Sequence, residues 1–349
     1  MKGGKIYVGL SGGVDSAVSA ALLLKAGAQV IGVFIKGWYP SGMPCTWAED
    51  RRDAMRVAAR LGIPFMTLDA SAEYKKGVID YLLGEYAAGR TPNPDVMCNR
   101  EVKFGAFYDY ARAHGADAIA TGHYARNENG ALLRGLDESK DQSYFLWAVS
   151  KDAIAHTIFP VGAMRKDAVR SQARALGLPV AAKRDSQGIC FLGSISVEEF
   201  LAHEFGAEPG IAVNEQGTEV GRHPGAIAST IGQRVALRDA APGPWYVLRK
   251  DVRANKLVVS RSPHSRGGPP RSIPFDSANW LADAQPGAHL TAQYRYHGPL
   301  ISGALSEDRA AFIPAAPLPE TAAAGQSLVL YAGNQCVGGG IIGQDAGGI

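Results

Sequence analysis

The sequence predicts an α/β protein: a doubly wound, mostly parallel sheet followed by a small β-rich domain and a C-terminal β-barrel. Three observations carry this. Over about the first 200 residues, strand-like apolar runs alternate with helical patterns of about 10 to 15 residues, the grammar of a parallel sheet. From about residue 205 the pattern turns to short alternating strands separated by Gly, Asn and Pro turns. The stretch "SPHSRGGPPRSIP" (262–274) then has the composition of a linker or long turn. The expected division is therefore 1–200, 201–271 and 272–349.

The elements follow in order. Residues 5–10 read as a buried strand and 16–25 as a helix with Ala, Leu and Val along one face. Residues 28–38 repeat the strand pattern, an Arg- and Ala-rich helix spans about 48–61, and "IPFMTLDA" (63–70) is a third strand. Asp69 and Ser71 are suited to cap the helix that runs toward Ala88. After an irregular segment, residues 101–115 return to helical periodicity and 116–125 supply a fourth strand. In such sheets the crossovers are right-handed and ligands sit above the carboxyl ends of the strands.

Composition narrows the function classes. The 349 residues carry 36 Lys and Arg against 33 Asp and Glu, a net charge of +3, which excludes an acidic protein without establishing a nucleic-acid binder. No apolar signal core opens the chain and no run approaches ~20 uninterrupted apolar residues, so a cytoplasmic protein with no membrane partner is expected. The four cysteines, Cys45, Cys98, Cys190 and Cys336, have neither C-x-x-C pairing nor zinc-ligand spacing, and no metal ligands are assigned. In a reducing compartment such thiols either pack or do chemistry; Cys336, in an apolar strand beside glycines, reads as packing.

The stretch "KIYVGLSGGVDSAVSAALLLKAG" (5–27) joins a strand to a helix through Ser11-Gly12-Gly13-Val14-Asp15-Ser16. Glycines there let the backbone approach an anion, and free N–H groups at a helix start bind phosphate. A tight strand-to-helix turn with no ligand is the plainer reading, but two serines and an aspartate around the glycines favour a site. The lysine of a G-x-x-x-x-G-K-[ST] loop is missing. Asp15 stands near the helix start instead, a poor neighbour for bare phosphate and a reasonable Mg²⁺ partner.

This turn resembles the PP-loop, S-G-G-x-D-S, of the ATP-pyrophosphatase superfamily, whose members split ATP between the α- and β-phosphates and transfer AMP to an acceptor oxygen. Further motifs narrow the acceptor: "GRTPNPDVMCNREVKFG" (89–105), "TGHYAR" (121–126), "SKDQSYFL" (139–146), "RDSQGICFLG" (184–193), "TIGQR" (230–234) and "CVGGGII" (336–342). In this order, across essentially the whole chain, they are similar to the tRNA-specific 2-thiouridylase family. The resemblance implies an enzyme that uses ATP and Mg²⁺ to adenylate the 2-oxygen of a wobble uridine, in tRNAs such as those for Lys, Glu and Gln. That oxygen is then replaced by sulfur from a cysteine persulfide, with a cysteine desulfurase or sulfur-relay protein as donor. AMP turns a poor leaving oxygen into a good one, and a persulfide is the nucleophile that replaces it.

By the family's pattern Cys190 carries the persulfide, and Cys98 is the partner thiol that closes a Cys98–Cys190 disulfide. Asp95 is the acid or base; an Asx turn after Pro94 is its plainer reading. The resemblance assigns ATP contacts to Gly9, Leu10, Ser11, Gly12, Gly13, Val14, Asp15, Ser16, Ile35 and Gly122. It assigns the target base to Asn93, Pro94 and Asp95, and other tRNA contacts to Lys140, Asp141, Gln142, Arg295 and Tyr296. His123 reads equally as a nucleotide contact or a hydrogen-bonded core histidine. Ile35 stands where the family usually has methionine, and His297-Gly298 follows Arg295-Tyr296 where a second arginine is common, which lowers the charge expected on the barrel face. The alternatives are another adenylating ligase of this loop type, which would have no use for two loop cysteines, and a non-catalytic RNA-binding protein, against which the intact loop argues.

Overall fold

The chain enters through β1 (Lys5–Gly9), α1 (Val14–Lys25), β2 (Gln29–Lys36), α2 (Trp47–Leu61) and β3 (Phe65–Asp69). Two helical runs, 71–87 and 94–113, lead to β4 (Ala118–Ala120), the hairpin β5 (Ala125–Glu128) and β6 (Ala131–Arg134), and the short β7 (Thr157–Ile158). In this computed structural model the described residues are 3–43, 47–184, 195–206, 208–262 and 271–343. Hydrogen bonding orders the first sheet β3-β2-β1-β4-β7, with every pairing parallel. Ile6, Tyr7 and Val8 of β1 are all buried, as a central strand covered on both faces requires. The chain winds from β1 toward β3 and then returns to the other side of β1 through β4. The carboxyl ends of β1 and β4 therefore flank the switch point at which such sheets bind ligands.

The fourth strand differs from expectation. It stops at Ala120 instead of 125, because the backbone of Tyr124 pairs with Gln142, and Ala125 already begins the hairpin. The cap before residue 71 also differs in detail: Ala70 is the cap residue, and Asp69 Oδ1 accepts from the Ser71 N–H at 3.0 Å. Lys36 Nζ donates to Asp69 Oδ2 at 2.8 Å; that bond and those from Ser71 hold the Asp69 carboxyl at about 2.

A four-stranded sheet follows, ordered Tyr246–Asp251, Lys256–Ser260, Gly210–Val213, Glu219–His223. Beyond it six strands close into an antiparallel barrel, Ile273–Trp280 pairing with Ala311–Pro314 on one side and Gln335–Ile342 on the other. The β5–β6 hairpin of the first domain lies along the barrel through a Leu133–Gln335 pair.

The barrel is joined to the first domain by buried and half-buried polar contacts. Asn279 Nδ2 donates to the Trp147 and Val149 carbonyls at 2.6 and 2.9 Å, Tyr144 Oη donates to the Ser327 carbonyl at 3.0 Å, and Ser143 Oγ lies 3.1 Å from Tyr331 Oη. Gly339 is required here: a Cβ would stand 2.4 Å from the Leu328 carbonyl oxygen and 3.1 Å from the Trp147 ring. The "SKDQSYFL" stretch therefore builds much of the seam between the two domains.

Candidate active site

Hydrogen bonds within the Ser11–Ser16 turn hold its serines and Gly13. Gly13 is the cap residue of α1 and has no side chain to occupy the helix's free N–H groups. Ser11 Oγ accepts from the Gly13 N–H at 3.3 Å and lies 3.2 Å from Ser16 Oγ, which donates back to the Gly13 carbonyl at 3.2 Å. Gly12 has φ +76°, and a Cβ there would stand 2.4 Å from the Asp50 carbonyl oxygen at the start of α2. No side chain fits. Gly12→Ala is expected to combine left-handed strain of about 1–3 kcal/mol with displacement of the turn, read as a lowered Tm and a raised KM for ATP.

Leu10 donates its N–H to the Val33 carbonyl at 2.7 Å, so β2 fixes the residue that leads into the turn. Gly9 lies under the 94–113 helical run; its hypothetical Cβ would touch Phe107 at 3.6 Å and Ile35 at 4.0 Å. Ile35 is itself buried. From the β4 side Gly122 closes on the same turn, where a Cβ would stand 2.6 Å from the Ser16 N and 2.8 Å from the Asp15 carbonyl carbon. The glycine is thus explained by backbone packing alone. The resemblance's loop residues, Gly122 and Ile35 lie together at the switch point.

Asp15, in the first turn of α1, is tightly engaged. Lys166 Nζ is 2.8 Å from both of its carboxylate oxygens, and the buried Tyr124 donates its hydroxyl to Asp15 Oδ1 at 2.8 Å. Lys166, 151 positions away, lay outside every motif read from the sequence, and Tyr124, 109 positions away, lay within "TGHYAR" but was assigned no contact. A second cluster borders the turn: Lys183 Nζ lies 2.8 Å from Asp50 Oδ1 and 2.8 Å from Asp53 Oδ2. Burial disfavours the Lys183 ammonium, but the two carboxylates outweigh it and its pKa is raised. His123 places Nδ1 2.8 Å from Thr121 Oγ1 and packs near Phe104 and Phe159. Burial, with the Lys103 charge adding to it, holds its pKa well below the usual histidine range, so the ring is neutral.

The segment assigned to the target base begins a helix. Asn93 Oδ1 accepts from the Val96 N–H at 3.4 Å, Pro94 takes the first helical position, and Asp95 stands in the first turn. Cys98 is fully buried and opens a π-helical stretch, Cys98–Ala106, a form that recurs at functional sites. Cys190 lies outside the described residues. Tyr296 of the barrel packs against Phe145 with ring centroids 4.3 Å apart and the planes tilted by 50°; burial, reinforced by the Asp141 and Asp95 charges, pushes its phenol to about 12. Tyr296 and Asp95 are thereby close enough to feel each other across the seam.

The 140–142 segment divides. Asp141 is buried, accepting from Arg134 Nε at 2.8 Å, the Gly135 N–H at 2.9 Å and the Ser143 N–H at 3.1 Å; these are contacts within the protein. Gln142 accepts from the Tyr124 N–H at 3.0 Å, and Lys140 flanks it. Arg295 pairs with Glu320 at the rim of a crevice of about 750 Å³ where the three domains meet, lined among others by Thr91, Thr230, Gln233, Arg234 and Gln326. "TIGQR" is therefore a wall of that crevice.

Of the two described cysteines, Cys336 is driven by burial up to about 12 and is inert. Alkylation of the native protein is expected to leave both Cys98 and Cys336 unmodified, and peptide mapping after brief iodoacetamide treatment checks it. Among the described residues no group of acidic, His and Cys side chains could hold a metal, and no helix is long and apolar enough to cross a membrane.

Comparison with known proteins matches three family descriptions along the chain. These are a tRNA methyl transferase HUP domain over residues 4–194, a tRNA methyl transferase PRC-barrel domain over 198–261, and an aminomethyltransferase β-barrel domain over 271–342. A tRNA-specific 2-thiouridylase MnmA of Stenotrophomonas maltophilia is 43% identical over 353 residues, covering 97% of this chain and 93% of that protein. Its namesake in Geobacillus thermodenitrificans is 42% identical over 350 residues, covering 97% and 94%. The U34-tRNA thiolase NcsA of Methanococcus maripaludis shares 18% identity over 51% of this chain and 59% of its own, with a TM-score of 0.35, too distant to bear on function. The loop, the cysteine-bearing helix and relatives matched from end to end agree: the chain belongs to the tRNA-specific 2-thiouridylase family.

Proposed function

We propose that the chain is an ATP-dependent tRNA 2-thiouridylase. The observation that carries it is the Ser11–Ser16 turn at the switch point, closed by Gly122 and Tyr124 and packed through Gly9 against the helical run that bears Asp95 and Cys98. Methyl transfer, the wording of the family descriptions, needs neither an anion-binding turn of this kind nor two thiols.

ATP lies with its pyrophosphate on the turn and its adenine toward the end of β2. The uridine O2 bonds to the α-phosphorus as the bond to the bridging oxygen breaks, and pyrophosphate leaves. Asp95 moves the proton at the uracil. The terminal persulfide sulfur on Cys190 then bonds to C2 as the C2–O bond to AMP breaks. Cys98 thiolate attacks the Cys190 sulfur, the S–S bond to the base opens, and 2-thiouridine is left with a Cys98–Cys190 disulfide. A two-electron thiol reductant reopens it. Because Cys98 is buried, the start of its helix must shift before this attack. Both Asp15 oxygens already carry Lys166, so the residues present do not fit direct Mg²⁺ ligation at the loop.

The protein so described divides at 1–200, 201–271 and 272–349, works in the cytoplasm where tRNA and reduced thiols are found, and takes sulfur from a desulfurase or relay protein. Its tRNAs carry wobble uridine, as those for Lys, Glu and Gln do. The crevice at the three-domain junction, with Arg234 and Arg295, seats RNA phosphate. Affinity for such a tRNA is then expected to fall by about 10³-fold between about 50 and 200 mM salt if roughly six phosphates are neutralised, and Arg234→Ala to reduce the log–log slope by about 1. Filter binding across that range checks it; salt-indifferent binding would contradict it. Nucleoside mass spectrometry of tRNA from cells with and without the gene tests the function as a whole: 2-thiouridine disappears without it if the reading holds.

A further inference from the structure

The "TIGQR" wall of the three-domain crevice belongs to a segment, residues 226–234, built from two tight turns. The Ser229 N–H donates to the Ala226 carbonyl at 3.1 Å, and the Gln233 N–H to the Thr230 carbonyl at 3.0 Å. The segment touches all three domains. Ile227 and Ala228 pack against the core of the first domain. Gly232 lies against the barrel, where a Cβ would come within 3.5 Å of Thr321 and 3.9 Å of Arg295. In its own domain, the Gly232 N–H donates to the Val247 carbonyl at 2.7 Å, and the Val247 N–H to the Gln233 carbonyl at 3.0 Å.

Those backbone bonds hold the second turn; side chains hold the first. Asn255 Oδ1 accepts from the Ala226 N–H at 2.9 Å. Lys250, on the strand Tyr246–Asp251, donates from Nζ to the Ile227 and Ser229 carbonyls at 3.3 and 2.8 Å. The same ammonium lies 5.5 Å from the ring centroid of the buried Tyr86, in the helix Asp80–Ala87 of the first domain. Two carbonyls and an aromatic face thus surround a group with three donors.

This is a costly way to hold a loop. Burial alone pulls the Lys250 pKa down to about 8, and among the described residues no carboxylate pairs with it. An apolar side chain of similar length would avoid that cost but would leave two carbonyls at the seam without their donor. What the charge supplies is position. It gathers a loop of the central domain and a helix of the first domain around one atom, and Gln233 and Arg234, which line the crevice, extend from that anchored turn.

We infer that Lys250 is a positioning residue for tRNA, pinning residues 226–234 between the central and first domains so that Arg234 faces the RNA. It acts through the loop and not by touching the nucleic acid. The inference rests on the reading of the crevice as a phosphate seat.

Filter binding of a wobble-uridine tRNA transcript to the full-length protein tests it through a double-mutant cycle. Lys250→Met is expected to weaken tRNA by about tenfold while KM for ATP changes by less than about twofold, because the ATP turn lies on other elements. Lys250→Arg, whose guanidinium can span two carbonyls and lie on an aromatic face, is expected to restore most of the affinity. Arg234→Ala is expected to cost about fivefold or more in the wild type but less than about twofold in Lys250→Met, where the arginine is already displaced. Should Lys250→Met not fold, Lys250→Gln, which can keep one carbonyl contact, carries the same cycle. Effects that simply multiply would place the action of Lys250 elsewhere and overturn the inference. Unchanged tRNA affinity in Lys250→Met, or a Lys250→Arg protein as weak as Lys250→Met, would also overturn it. Unchanged affinity in Arg234→Ala alone would instead remove the crevice reading, and the inference with it.

Discussion

Asp15→Asn is expected to lower tRNA-dependent pyrophosphate release by about 10²-fold or more with the fold intact, because a small misplacement of reacting groups costs that much. The asparagine keeps the volume of the side chain and an oxygen for the Tyr124 hydroxyl, which donates to it at 2.8 Å. It removes the charge that holds Lys166 in place, so the turn loses its electrostatic alignment before it loses its shape. Asp15→Ala is the harsher change. It leaves a recessed ammonium and a buried phenol without their shared acceptor, at a cost of about 3 kcal/mol in stability. Pyrophosphate release measured beside a thermal melt separates the two effects. The wild type is expected to yield AMP and pyrophosphate, and release of ADP and orthophosphate would contradict the assignment of the loop.

Cys98→Ser is expected to lower thiouridine formation by about 10³-fold or more, as removal of an attacking nucleophile does. Adenylation of the tRNA should survive, since the ATP turn and the thiol sit on different elements. Cys98 is wholly enclosed among the side chains of the first domain's core, so a hydroxyl there costs about 1–3 kcal/mol unless it finds a partner. Cys98→Ala, which carries no such penalty, should show the same chemical defect in a more stable protein. Cys190→Ser is expected to abolish protein-bound transferable sulfur altogether. Cys98→Ser should still accept sulfur and then stall.

Much of the fold was legible because it rests on local pattern. The β1–α1–β2 unit follows from an apolar run, a glycine turn and a helical stripe, all adjacent in the chain. The contents of the loop were legible for the same reason, and Gly12 stands there because its φ of +76° disfavours a side chain and a Cβ would stand 2.4 Å from the Asp50 carbonyl oxygen. What the sequence did not show is whatever the fold assembles from afar. Lys166 reaches Asp15 across 151 positions, and Lys183 reaches Asp50 across 133. Asp141 shows the converse: within an exposed-looking run of polar residues it is buried, because Arg134 and three backbone or hydroxyl donors surround it. The β5–β6 hairpin was missed because it is only two four-residue strands, too short for periodicity to register.

The most direct test of two-thiol sulfur transfer is single-turnover thiolation with persulfide-loaded enzyme, ATP and a wobble-uridine tRNA, followed by peptide mapping. One 2-thiouridine and one AMP are expected per persulfide consumed, with a Cys98–Cys190 disulfide appearing at the same rate. Thiouridine made at the wild-type rate by Cys98→Ser, with no such disulfide in the wild type, would contradict it.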